Sequence, residues 1–245
     1  MWGSMNSPNH SLSRWFRGTD PSPSHSSADR AKDSARASRR SIGFGEFMRS
    51  LQSDLKAAGE HKLAILDLGS TSPANISLFT EMGLRVSTED VLRACKDPDY
   101  VVRQEDGSEQ FDADKFLADN LAYPETQFDA VLCWDIADYV PEQLVKPLVE
   151  RIFFLLKPHG TVLAFFHDKD LGGGSPFYRY HIVQPDTLEM ESKPSVKLQR
   201  IFNNRHVEQL FANFASRKFF RSAAFVGLNM CGIGANYRVK RVCQG

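Results

Sequence analysis

Five carboxylates set at the ends of apolar runs carry most of the chemistry this sequence offers. They are Asp67 in "AILDLGSTSPAN" (64–75), Glu89 and Asp90 in "LRVSTED" (84–90), Asp119 in "FLADNLAYPETQFD" (116–129) and Asp135 in "FDAVLCWD" (128–135). A carboxylate in such a place accepts charge-assisted hydrogen bonds from hydroxyl or ammonium donors, each worth roughly 1.5–3 kcal/mol. Gly69 ends the first run, followed by the hydroxyls of Ser70 and Thr71, and no second glycine follows. The G-x-G-x-x-G turn, which lets backbone approach a pyrophosphate at a helix N-terminus, is therefore absent. The turn suits a ligand without phosphate, one with an ammonium and a carboxylate at one end and a diol further along. Asp90 stands 21 residues after Gly69, where an acid ending the next strand would meet that diol, with Glu89 competing for the role. Groups able to take a proton come later in the chain: Asp135, Asp138, Tyr139, His167 and Asp168. Each has an ordinary structural reading as well, His167 as a hydrogen-bonded strand-end residue and Asp135 as a helix cap.

These residues need a scaffold, and the apolar periodicity supplies one. Phe44, Phe47, Met48, Leu51 and Leu55 fall on one helical face, with Gly59 as the stop. A strand is expected over 63–68. A helix follows over 73–82, with Ser72 as N-cap and Pro73 in the first turn. A second strand covers 84–90. Residues 91–127 are polar and acidic and read as a helix, a short strand and loops. "FDAVLCWD" is a buried strand, Pro141 opens a helix striped by Leu144, Leu148, Ile152 and Leu155, "KPHG" ends it, and "TVLAFFH" (161–167) is another buried strand. Strands that are apolar throughout and alternate with helices predict a parallel sheet covered on both faces. Two β-rich stretches near 217–228 and 236–243 predict a terminal hairpin.

The flanking segments differ. Residues 1–42 are rich in Ser, Arg and Pro without apolar period and are expected to be a disordered extension, or alternatively an organellar targeting segment. Residues 168–200 form an insertion with glycines at 172–174, read as a hinge, and with Tyr178, Tyr180 and His181. These three are read either as a lid over the sheet or as packing against its edge. Lys+Arg and Asp+Glu both number 30, so no net field draws the 245-residue chain toward nucleic acid. The cysteines, Cys95, Cys133, Cys231 and Cys243, form no C-x-x-C pair, which argues against a zinc site and a disulfide framework. No apolar run reaches the roughly 18 residues of a spanning helix. A soluble, cytoplasmic protein with no metal and no membrane partner is expected.

Residues 63–90 together with "LAYPETQFDAVLCWDIADYVPEQLVKPLVERIFFLLKPHGTVLAFF" resemble the core of the class I S-adenosylmethionine (SAM)-dependent methyltransferases, of the type 11/12-like kind, with a degenerate glycine loop. "FDAVLCWD" followed by "LLKPHG" is the more specific part of the match. The resemblance implies a Rossmann-like α/β fold: a seven-stranded, mostly parallel sheet with a C-terminal antiparallel hairpin and helices on both faces. It implies SAM as cofactor. Asp67, Gly69, Ser70 and Thr71 would face its methionine end and Glu89 or Asp90 its ribose. Asp119 and Asn120 would lie near the adenine, and Trp134 and Asp135 would line the floor near the reactive methyl. Asp135, Tyr139 and His167 are the weak catalytic candidates. Two departures stand out: the G-x-G-x-G loop is "GSTSP", and the first glycine of "LKPGG" is His159.

The function expected is methyl transfer from SAM to a small-molecule acceptor. The alternative is a methyltransferase-like binding or regulatory module without catalysis, which the altered loop favours. An NAD-dependent oxidoreductase is disfavoured by the missing glycines.

Overall fold

In a computed structural model the described residues are 36–167, 177–193, 196–221 and 233–238. Along these the elements are β1 (Arg36–Arg40), α1 (Ile42–Ala58), β2 (Ala64–Asp67), α2 (Pro73–Glu81), β3 (Arg85–Thr88), α3 (Val91–Ala94), β4 (Val101–Arg103), β5 (Glu109–Phe111), α4 (Ala113–Asn120), β6 (Phe128–Trp134), α5 (Glu142–Leu155), β7 (Leu156–Ala164), β8 (Phe177–Gln184), β9 (Thr187–Lys193), α6 (Asn204–Leu210), β10 (Ser216–Arg221) and β11 (Ile233–Arg238).

The main sheet has the order β10-β11-β7-β6-β2-β3. β3, β2, β6 and β7 run parallel, β11 is antiparallel to β7, and β10 is antiparallel to β11. The parallel core and the terminal hairpin are as the apolar runs predict. Six strands of the sheet lie among the described residues, where seven were expected for the chain. Residues 91–127, expected to hold a helix, a short strand and loops, hold two short strands, β4 and β5, paired in a separate hairpin on residues that are mostly exposed.

Period-two alternation divides the core between the two faces of the sheet. Leu66, Val131 and Cys133 pack with Phe116 of α4, the Leu144–Leu148–Ile152 stripe of α5 and Val207 of α6. Ile65, Ala130, Leu132 and Trp134 pack on the other face with Phe44 and Phe47 of α1, Phe79 of α2 and the inner side of β8. Local signals set the helix ends: Ser41 caps α1 by accepting from Phe44 N, and Ser72 caps α2 with Pro73 in its first turn. α5 ends at Leu155, and β7 starts earlier than the expected 161, because "KPHG" already belongs to it. His159, where the family motif has glycine, sits at φ 68°.

A second sheet, β1-β9-β8, is antiparallel throughout. The extension expected over 1–42 thus has its last part in a strand, Arg36–Arg40. Residues 1–35, with Trp2 and Trp15, lie outside the described residues, as do 168–176 with Asp168 and the glycines at 172–174, and Cys231 and Cys243. Part of the insertion is sheet rather than loop, and it is tied down where it crosses α2. The Asn75 amide donates to Tyr180 O (3.0 Å) and accepts from Ile182 N (2.8 Å), taking both backbone groups of β8 at that point.

Asn75→Ala leaves two buried backbone groups of β8 without partners, each costing about 1–3 kcal/mol. We expect the unfolding free energy to fall by about 2 kcal/mol in urea titrations. An unchanged midpoint would show that this tie does not hold the second sheet in place.

Candidate ligand site at the switch point of the sheet

From β2 the chain passes to β3 on one side and later returns to form β6 on the other. In an open parallel sheet the crevice at the carboxyl ends of two such strands is where ligands bind. Here those ends are Asp67, Leu68 and Gly69 from β2, and Trp134 and Asp135 from β6. The end of β3 lies alongside, since Glu89 N donates to Asp67 O at 2.9 Å. The topology therefore brings Asp67, Gly69, Glu89, Asp90, Trp134 and Asp135 to one edge of the sheet.

Asp67 is 3% exposed, and its Oδ1 accepts from Gly69 N (3.0 Å) and from the Trp134 indole Nε1 (2.7 Å). Burial pushes its carboxyl above the ordinary range, and the bonds from Trp134, Gly69 and Asn75 oppose that. Trp134 does not simply line a floor. A Cβ added to Gly69 would stand 2.5 Å from the indole Cδ1 and 2.7 Å from Nε1, so this part of the ring lies against the glycine backbone. The ring is held from the other side by Tyr180, stacked at 4.8 Å between centroids and 6° between planes. Trp134 itself takes φ 47°, a left-handed conformation that a bulky residue adopts only where its surroundings enforce it.

The other expected contacts are partly drawn in and partly not. Glu89 accepts from the Tyr123 hydroxyl at 2.6 Å, and Asp90 caps α3 by accepting from Arg93 N at 3.1 Å. Ser70 is half-buried and Thr71 exposed on the loop. Asp119 is exposed on α4 and pairs with Lys115 at 2.9 Å. Asn120 donates to Tyr100 Oη and Phe116 O, closing the end of α4. The helical i,i+4 spacing of Lys115 and Asp119 was the signal that could have marked this pair as a surface one.

Next to Trp134 sits a buried polar cluster that the sequence names only piecemeal. Asp135 Oδ2 accepts from the Tyr180 hydroxyl (2.9 Å). Asp138 Oδ2 receives both His167 N and His167 Nδ1 at 2.7 Å, and His167 Nε2 lies 3.4 Å from the Tyr139 hydroxyl. Asp135, Asp138 and His167 are all buried, and neither Asp135 Oδ1 nor Asp138 Oδ1 has a hydrogen-bond partner. Burial drives the Asp135 carboxyl up to about 7, with Asp138 adding to the rise and His167 and Tyr180 opposing it. Burial also raises Asp138, against the His167 bonds. Of the insertion residues, Tyr178 and Tyr180 are buried, and His181 joins Ser72 Oγ (2.8 Å) to Glu191 (3.2 Å). Of the two readings of these residues, lid or packing, the described conformation has them packed. Within the described residues no group of three or more His, Cys, Asp or Glu is arranged to hold a metal, and no helix is long and apolar enough to cross a membrane.

No family model and no curated protein matches the chain. Among solved structures, the chain is similar to a 1,6-didemethyltoxoflavin-N1-methyltransferase from Burkholderia thailandensis, with 16% identity over 91% of this chain and 94% of that one and a TM-score of 0.43. It is similar to an amino pentose methyltransferase from Micromonospora echinaspora, with 13% identity, coverage of 90% and 100% and a TM-score of 0.40. A SAM-dependent methyltransferase from Methanosarcina mazei gives 9% identity, 77% and 86% coverage and a TM-score of 0.38. At these identities and TM-scores the likenesses assign no residue a role. What decides the fold is the sheet, with its parallel strands ordered about a switch between β2 and β6 and its antiparallel terminal hairpin. The fold is Rossmann-like α/β.

Asp135 gives a pH signature. A carboxyl raised in the folded state stabilises fully below its unfolded value, and that contribution is lost as pH rises to about 7. The stability of Asp135→Asn relative to the native chain should therefore improve by about 2 kcal/mol between about pH 5 and about pH 8. Urea titrations at both pH values check it; parallel pH dependences would mean that Asp135 is not held protonated.

Proposed function

We propose that this domain is a SAM-dependent methyltransferase, with the cofactor held at the switch point between β2 and β6. The observation that carries the reading is the meeting of three acid-bearing strand ends, at Asp67, Glu89–Asp90 and Asp135, around the one glycine of the turn. The residues fit a phosphate-free ligand: carboxylates for an ammonium and a diol, and backbone exposed by Gly69 for close approach. The fit carries one condition, since the Trp134 indole takes up Asp67 Oδ1 and the space over Gly69 in the conformation described.

SAM, when bound, supplies an electrophilic methyl group on a sulfonium, and the protein's task is then alignment and proton handling. Asp67 would accept from the ammonium, and Glu89 or Asp90 from the ribose hydroxyls. Asp138 acts on His167: by accepting at Nδ1 it favours the tautomer whose Nε2 can take a proton, next to the Tyr139 hydroxyl. His167 is thereby the strongest candidate base, and the Tyr180 hydroxyl holds Asp135 in place. The aromatic surroundings of Tyr139, Phe177, Trp134 and Tyr180, and the zero net charge, favour a small-molecule acceptor over nucleic acid. The second reading, a methyltransferase-like binding or regulatory module, is favoured by the same Trp134 contact and by the diversion of Asp119 and Asn120 to structural bonds.

Calorimetric titration of SAM separates the two. Binding in the micromolar range, weakened about tenfold or more by Asp90→Asn, is expected; that variant removes the charge and keeps an N-cap side chain. No heat at millimolar SAM, from the folded native chain and from folded Trp134→Leu alike, would leave the module reading.

A further inference from the structure

We infer that Trp134 is an internal competitor for the cofactor's methionine end, a plug that Tyr180 holds in place and that must leave before that end can be bound. The inference rests on the SAM reading above and deepens it.

Three observations converge on one side chain. The indole N–H satisfies the buried Asp67 carboxylate at 2.7 Å, supplying the donor that an ammonium would otherwise supply. The ring lies where a Cβ on Gly69 would have to go, 2.5 Å and 2.7 Å from Cδ1 and Nε1, so the backbone surface that this glycine opens is already covered. Tyr180 then stacks on the ring at 4.8 Å and 6°, and its own hydroxyl is anchored to Asp135. Phe44 and Phe165 complete the enclosure, with centroids at 6.3 Å and 5.9 Å from Trp134.

The holding residue comes from the second sheet. β8 carries Tyr180, the Asn75 amide donates to the Tyr180 carbonyl and accepts from Ile182 N, and His181 bonds Ser72 at the start of α2. The plug is thus latched by the strand that crosses the glycine turn. If the open state is a minority, the apparent affinity falls by that fraction. An open population of about one-tenth weakens binding about tenfold.

The test uses the full chain with Trp2→Phe and Trp15→Phe, which leaves Trp134 as the sole tryptophan of the three. SAM is titrated by calorimetry and by tryptophan emission, in this background and, by calorimetry, in Trp134→Leu and Tyr180→Leu. The expected result is a red-shifted, more quenchable Trp134 emission on binding, and SAM bound about tenfold or more tighter by Trp134→Leu. Tyr180→Leu, which keeps the indole but removes its latch, should tighten binding as well and covers the case in which Trp134→Leu does not fold. Binding by the variants alone would also support the plug, with the closed state dominant. Binding by the native chain with unchanged Trp134 emission, and no gain in either variant, would overturn the plug and leave the SAM reading standing. No binding by the folded native chain or by either folded variant would overturn both.

Discussion

A carboxylate buried at the end of a sheet strand must find donors, and Asp67 finds two, the Gly69 N–H and the indole N–H of Trp134. The Asp67–Trp134 hydrogen bond joins the carboxyl ends of β2 and β6, the two strands between which the sheet switches direction. Around it the rest of the edge is organised. Gly69 must lack a side chain because the ring rests on it, Tyr180 must be aromatic and close because it stacks on the ring, and β8 must cross α2 where Asn75 can hold its backbone. An unpaired buried carboxylate costs several kcal/mol, which makes the interaction a strong organiser of whatever surrounds it. A ligand that offers Asp67 an ammonium competes with a partner the protein already supplies.

Beside this bond lies a second concentration of buried charge. Asp138 and His167 are paired through two bonds to a single carboxylate oxygen, while Asp135 is raised to about 7 with one oxygen on Tyr180 and the other without a partner. Perturbed carboxyls of this kind cluster at functional sites more often than in ordinary cores. They sit at the ends of β6 and β7, the side of the sheet on which chemistry in such folds is performed. The two features share Tyr180, whose ring presses on Trp134 and whose hydroxyl binds Asp135. Movement of that one residue would alter both the cofactor side and the proton-handling side.

The parallel core was legible because its strands are buried on both faces and read as unbroken apolar runs: "AILD" and "FDAVLCW" became β2 and β6 with little ambiguity. The start of α2 at Ser72 and Pro73 followed from capping chemistry. β1 was not legible, since "RASRR" has no apolar residue beyond Ala37. It forms through ladder bonds to β9 and ion pairs such as Arg36–Glu189, partners more than a hundred residues away. Within 91–127 one short strand was expected where two pair as the hairpin of β4 and β5, for a related reason: three-residue strands carry too little pattern to be counted. At the site, the acids after β2, β3 and β6 were visible as strand-end residues. The role of Trp134 was not, because it depends on Gly69 and Tyr180, which meet it only in the folded chain.

The most direct measurement is a crystal structure of the full chain grown with S-adenosylhomocysteine, read for the position of the Trp134 ring. The account predicts ligand density at the ends of β2 and β6, Asp67 bonded to the ligand amine, and the indole displaced from Gly69. Ligand bound elsewhere, or a fully saturated crystal with the indole still on Asp67 and the edge empty of ligand, would contradict it.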